Sequence, residues 1–156
     1  MPLLPSILNP RLYLRAVLAA IVVSFVLFQI LPDLFLWSKD ADQDDRCRIV
    51  SVVDGNTVRT WCPARGVEVG RLQGFSAPKL YYARCKSEFL EAFAARRALR
   101  LAVMGAKDVT IVREGKDVDK RALIKVWLDG RSLASLMVET GHARPHSGRG
   151  WPSWCH

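Results

Sequence analysis

Residues 46–79 read RCRIVSVVDGNTVRTWCPARGVEVGRLQGFSAPK, and their reading decides the fold. Residues 46–53 are rich in β-forming side chains and run into Asp54-Gly55, a strong hairpin signal. Residues 57–62 return as the partner strand. Pro63-Ala64-Arg65-Gly66 supplies the next turn, residues 67–75 a third strand, and Pro78 closes it. Short strands punctuated by turn signals favour a small barrel or sandwich over a parallel sheet.

Toward the C-terminus, residues 83–104 are Ala-rich and free of Gly and Pro, which predicts a helix that Gly105 stops. Residues 108–113 alternate as a fourth strand, turned by Glu114-Gly115-Lys116. Residues 122–128 form a fifth, ended by Asp129-Gly130, and residues 132–140 a short helix with Gly141 as its stop. On a helical wheel Lys86, Arg96, Arg97 and Arg100 fall near one face with Phe89 and Phe93, while Glu88 and Glu91 lie opposite. Such a face can bind polyanions. The plainer expectation is that the phenylalanines enter the core and arginine stems cover them. Trp61 and Trp127 occupy strand positions and read as structural. The tail, with Gly148, Gly150, Trp151 and Trp154, has no periodicity and must be held by contacts or a crosslink.

Toward the N-terminus, residues 16–31 read AVLAAIVVSFVLFQIL without a charge, preceded by Arg11 and Arg15. Counted from Leu12, about 20 helical residues rise about 30 Å, the thickness of a bilayer core. Residues 32–37 offer bulky side chains where a cleavable signal peptide needs small ones. An uncleaved signal anchor over residues 1–37 is therefore expected, with Trp37 at the interface and residues 38–45 (SKDADQDD) as a linker. Secretion after cleavage is the alternative. Flanking charge does not orient the span. The four cysteines, Cys47, Cys62, Cys85 and Cys155, all lie beyond it, and an even number in a small domain points to disulfides in an oxidising compartment. The expectation is a single-pass inner-membrane protein with its domain in the periplasm. Cys47 and Cys62 flank the hairpin at nearly equal distances, so Cys47–Cys62 and Cys85–Cys155 are the expected pairs. Other pairings, and four reduced thiols, stay open.

A chain of 156 residues has room for one modest domain plus an anchor. Its formal net charge is +8; without Arg11, Arg15 and Asp33 of the first 37 residues it is +7. That charge favours nucleic acid, anionic lipid or acidic polysaccharide as partners, and equally serves solubility. Zinc held by Cys155, His156 and His146 is disfavoured, because the spacing matches no established ligand pattern.

Three stretches in order, VVDGNTVR (52–59), GRLQGFSAPK (70–79) and DVDKRALIKVWLDGRSLASLMVETGHA (117–143), resemble the staphylococcal-nuclease (thermonuclease) family. The resemblance covers roughly residues 47–144, and the ending GHARPHSGRGWPSWCH is similar to small α-proteobacterial members. It implies a five-stranded OB-fold barrel over residues 46–144, with helices inserted after strands three and five. Residues 145–156 become a disulfide-tethered tail. In active members, carboxylates in the DGDT turn and before the Pro bind calcium, a Glu after the Pro activates water, and two arginines stabilise the pentavalent phosphate. Arg71 and Arg121 match those arginines, and Asp54 matches the first Asp of the turn. Asn56 and Ser76 stand where two calcium-binding carboxylates are expected, Lys79 where the base is expected, and Asp119-Lys120 replaces Tyr-Gly.

Calcium takes six to eight oxygens, and its affinity follows the number of charged ligands. Asn56 and Ser76 keep oxygens but remove two negative charges. Lys79 removes a general base that contributes about 10²–10⁴ in rate. An ammonium within about 5 Å of a divalent cation also costs a few kcal/mol. No cofactor is therefore expected, with calcium only in an active enzyme. Three functions follow. The first is a non-catalytic accessory protein of the cell envelope that binds a polyanion between Arg71 and Arg121; the resemblance links it to succinoglycan-type exopolysaccharide biosynthesis. The second is a phosphodiesterase hydrolysing DNA or RNA with Lys79, His142 or His146 as base. The third is a structural module whose arginines pair with Asp54, Asp117 or Asp119.

Overall fold

The structure, a computed structural model, describes residues 10–39, 47–146 and 153–156. It divides into two units, Met1–Pro32 and Asp33–His156. Helix α1 (Pro10–Lys39) is continuous over 30 residues. Within it Tyr13–Leu31 has a mean hydropathy of 2.4 and is long and apolar enough to cross a membrane. The helix runs two residues beyond the expected boundary at Trp37, and the expected linker residues 40–45 lie outside the described residues.

The second unit is a mixed α+β fold. Strands β1 (Arg48–Asp54), β2 (Thr57–Cys62) and β3 (Gly66–Leu72) form an antiparallel meander. A short β4 (Phe75–Ser76) and helix α2 (Lys86–Gly105) follow. Then come β5 (Val109–Lys116), β6 (Ala122–Leu128), the two-residue β7 (Arg131–Ser132), helix α3 (Leu133–Glu139) and β8 (Arg144–Pro145). The main sheet runs β1-β2-β3-β6-β5, with β3 parallel to β6 and the other ladders antiparallel; β7 adds beside β6. Alternation along β6 buries Ala122, Ile124, Val126 and Leu128 against Leu99 and Val103 of α2 and Met137 of α3.

The sheet curls into a half-barrel. Among the described residues no ladder joins β1 to β5, so the closed five-stranded barrel expected from the sequence is not formed. Side chains explain part of this. Arg96 of α2 donates Nε to the Val52 carbonyl of β1 (3.1 Å), and no residue of β5 is fully buried. A helix lies over one edge strand, while the other is only half-buried on one face, with Val109 and Ile111 against the core.

Several boundaries differ from expectation for local reasons. The third strand stops at Leu72, where Gly74 turns the chain with φ +91°, and Phe75–Ser76 pairs with Arg144–Pro145 instead. Helix α2 starts at Lys86 rather than Ala83. Its buried Glu88 accepts the backbone N–H of Arg84 (2.8 Å) and of Lys79 (3.5 Å), which wraps residues 79–85 as a loop around the carboxylate. Phe89 and Phe93 do not enter the core, contrary to expectation. The buried register is Glu88, Ala92, Ala95, Leu99 and Val103, and both phenylalanines are exposed. Arg100 is buried, so the expected basic face is not intact either.

Both expected disulfides are present, Cys47–Cys62 and Cys85–Cys155. The first ties the open end of the β1–β2 hairpin, where the Arg48 guanidinium lies 4.3 Å over the Trp61 ring. The second holds the tail. Trp154 is buried, its carbonyl accepts from Ser87 Oγ (3.1 Å), and Arg144 stacks on its ring at 4.3 Å. Cys155 sulfur is thus committed to a bond with carbon-bound sulfur rather than to zinc. Tail residues 147–152 lie outside the described residues.

Candidate functional site

The site is built on β2, β3 and β6, where Thr57, Arg71 and Leu123 are Cα partners across the sheet. Gly70, Leu72, Ala122 and Ile124 point inward, so Arg71 and Leu123 project from the opposite face. There they line a cleft of about 250 Å³ with Asn56, Leu72, Gln73, Gly74, Phe75 and His146. None of these lining residues is acidic; the ionisable ones are Arg71 and His146.

Asn56 is pinned by the turn that carries it. Asp54 Oδ1 accepts the Asn56 backbone N–H (2.8 Å), an Asx turn, and the Asn56 carbonyl accepts from the Leu72 N–H (2.8 Å). Asn56 Nδ2 donates to the Leu72 carbonyl (3.3 Å). The turn is pressed beneath α2. A Cβ on Gly55 would stand 2.8 Å from Ala77 Cβ and 2.9 Å from Ala95 Cβ, so the absence of a side chain there permits the approach. Asn56 Oδ1 and Ser76 Oγ are both buried without a hydrogen-bond partner. A buried polar group left unpaired costs about 1–3 kcal/mol.

Arg121 precedes β6 and has the same parity as Leu123, one two-residue repeat (about 7 Å) along the strand from Arg71's row. Its guanidinium is engaged. Nε donates to Asp117 Oδ2 (2.7 Å) and Nη2 to Asp119 Oδ2 (2.6 Å). Asp117 Oδ1 also accepts the backbone N–H of Arg121 (2.9 Å) and of Asp119 (3.0 Å). Desolvation works to raise the Asp117 carboxyl, but the hydrogen bonds and charge of Arg121 outweigh it and hold the group below its ordinary value. Lys120, within this loop, has φ +62°. Lys79 is exposed on the loop after β4 and is not among the residues lining the cleft; nor is His142.

The structure therefore brings Asn56 and Arg71 together, holds Asp54 behind them in the turn, and ties Arg121 to its own loop. Two placements are not among those expected from the sequence pattern. His146 reaches the cleft because β8 pairs with β4, a tail contact without sequence periodicity. Glu88 is a buried anchor, and a signal for it existed: it sits at i, i+4, i+7, i+11 spacing with Ala92, Ala95 and Leu99. Comparison with models of known protein families gives no match, and comparison with curated proteins gives none.

Proposed function

We propose that the second unit is a nuclease-like domain that binds an anionic group in the Arg71 cleft without hydrolysing it. The observation that carries this reading is a cleft offering a guanidinium, two carboxamides and an imidazole and no carboxylate. A guanidinium suits phosphate or carboxylate through paired hydrogen bonds. The OB-type reading is supported by the strand order β1-β2-β3-β6-β5 and the parallel β3–β6 ladder, compatible with a partly open five-stranded barrel.

The residues do not fit calcium. At the positions in question the donors are the neutral Asn56 Oδ1 and Ser76 Oγ, while Asp54 already accepts a backbone N–H. One committed carboxylate falls short of the charge such a site needs. Arg121, held by two aspartates, acts in this reading as a loop staple, and Arg71 is the arginine that lines the cleft. The apolar helix and the two disulfides support an inner-membrane anchor with the domain in an oxidising periplasm. An accessory role toward an acidic polymer of the cell envelope, such as a succinoglycan-type exopolysaccharide, is consistent with the net charge of +8.

The second reading, a phosphodiesterase, is favoured by one observation: His146 lines the same cleft as Arg71. One experiment addresses both. The full chain in detergent micelles is titrated with labelled single-stranded DNA and with an acidic polysaccharide, with calcium and with chelator. Binding without cleavage, weakened about tenfold or more by Arg71→Ala, is expected for loss of a charged hydrogen bond. Cleavage lost in His146→Ala moves the assignment to the enzyme. Binding indifferent to Arg71→Ala refutes the cleft as the site.

A further inference from the structure

Helix α2 presents two faces, and the outward one has the wrong composition for water. The core register 88, 92, 95, 99, 103 is matched, two residues earlier, by Lys86, Leu90, Phe93, Arg97 and Leu101, all exposed. A surface helix ordinarily carries polar residues opposite its core stripe. Here three of five are apolar, two are cations and none is acidic. Leu90 is 67% and Leu101 55% exposed. The loop leading into the helix extends the patch with Tyr81 and Tyr82, the latter 82% exposed. Between loop and helix lies a shallow hollow of about 570 Å³, bordered by Tyr81, Arg84, Lys86, Phe89 and Leu90 among others. The nearby carboxylates face elsewhere: Glu88 is buried, and Glu91 meets His156 at 3.3 Å. Contiguous exposed apolar surface rimmed by charge marks an interaction site.

We propose that this face of α2 and the 80–85 loop beds into the surface of an anionic lipid bilayer, the one the chain's own apolar helix would cross. Leucine and phenylalanine beside lysine and arginine is the composition of a helix lying in a membrane interface, with the cationic heads reaching lipid phosphates. Aliphatic Leu90 and Leu101 suit acyl chains, and the exposed Tyr81 and Tyr82 suit the headgroup level, where amphipathic rings collect. The tether supplies the second argument. Seven residues separate Lys39 from Cys47, and seven extended residues reach about 25 Å. A link of so few residues sets an effective concentration of about millimolar, so a patch of modest affinity is occupied.

The test uses the full chain reconstituted in nanodiscs, either of phosphatidylcholine alone or with about 30% phosphatidylglycerol. Benzoylphenylalanine replaces Leu90 in one sample and Val118, an exposed residue remote in sequence, in another. On illumination, position 90 is expected to give lipid adducts that rise with phosphatidylglycerol, and position 118 not. Each cation near an anionic surface is worth about a factor of five in partitioning, so Lys86→Gln/Arg97→Gln is expected to weaken partitioning about 25-fold and to cut the adduct with it. Adducts joining two copies of the chain would make the face a self-association surface and overturn the proposal. Equal lipid yields at the two positions, or adducts indifferent to anionic lipid and to the double variant, overturn it as well.

Discussion

Replacing Cys85 and Cys155 together by serine tests how the tail is held. The bond spans 70 residues, against 15 for Cys47–Cys62. Chain-entropy arguments give about 4 kcal/mol for the longer loop and about 3 kcal/mol for the shorter at 25 °C. The tail keeps other contacts, namely buried Trp154, the Ser87–Trp154 hydrogen bond and the Arg144–Ser153 hydrogen bond (3.0 Å). Burying a large apolar side chain is worth about 2–3 kcal/mol. The double variant should therefore lose about 4 kcal/mol of unfolding free energy while its tail exchanges between docked and undocked states. Urea unfolding, followed by fluorine NMR of labelled tryptophans, reports both. The Trp154 resonance should broaden or shift before the global transition. Because β8 pairs with β4 and His146 lines the cleft, polyanion affinity should fall with it. A loss below about 1 kcal/mol, with an unchanged Trp154 signal, would refute the reasoning and assign the docking to packing alone.

Gly55→Ala should destabilise by about 2 kcal/mol, since its Cβ meets Ala77 and Ala95 below 3 Å; an unchanged urea midpoint would show that α2 shifts freely. Lys120→Gly should stabilise by about 1 kcal/mol by relieving a left-handed backbone at φ +62°; a lower melting temperature contradicts it. Asp117 bears on acid stability. Its folded carboxyl titrates below the ordinary value of 3.8, so the unfolded chain takes up this proton first as pH falls. The stabilisation is present above pH 3.8 and is lost as pH drops through the lower folded value. Asp117→Asn should flatten the stability slope in that acid window, and an unaltered slope rejects the ion pair as its source.

Local patterns in the sequence carried most of the strands. Residues 122–128 match β6 at both ends, because an alternating run between an ion-paired loop and Asp129-Gly130 leaves no other register. Asp129 and Gly130 both take positive φ, as a tight hairpin requires. Asp54-Gly55 also turned the chain, but for another reason: Gly55 is needed for the approach of Ala95, a contact made by a helix some forty residues later. The misreading of Phe89 and Phe93 has a comparable cause. Size and hydropathy point Phe89 and Phe93 inward, whereas the space beneath the first half of α2 admits Ala92, Ala95 and the Glu88 carboxylate that serves the loop before it. Of the site, Arg71 and Asn56 were legible from the order of motifs. The pairing of Arg121 with Asp117 and Asp119 was one of three alternatives, and His146 depended on a tail with no pattern to follow.

The two disulfides join cysteines that are consecutive along the chain, first with second and third with fourth. A domain delivered in order of sequence into an oxidising compartment exposes Cys47 and Cys62 first, with only the β1–β2 hairpin needed to align them. Cys85 then has no unpaired thiol to meet until Cys155 arrives. An oxidase that joins thiols in order of appearance thus makes the native pairs without a reshuffling step, and the second bond closes only once Cys155 has arrived. Maturation is written into the order of the cysteines, and pulse-labelled trapping of free thiols would show a single long-lived intermediate with one bond made.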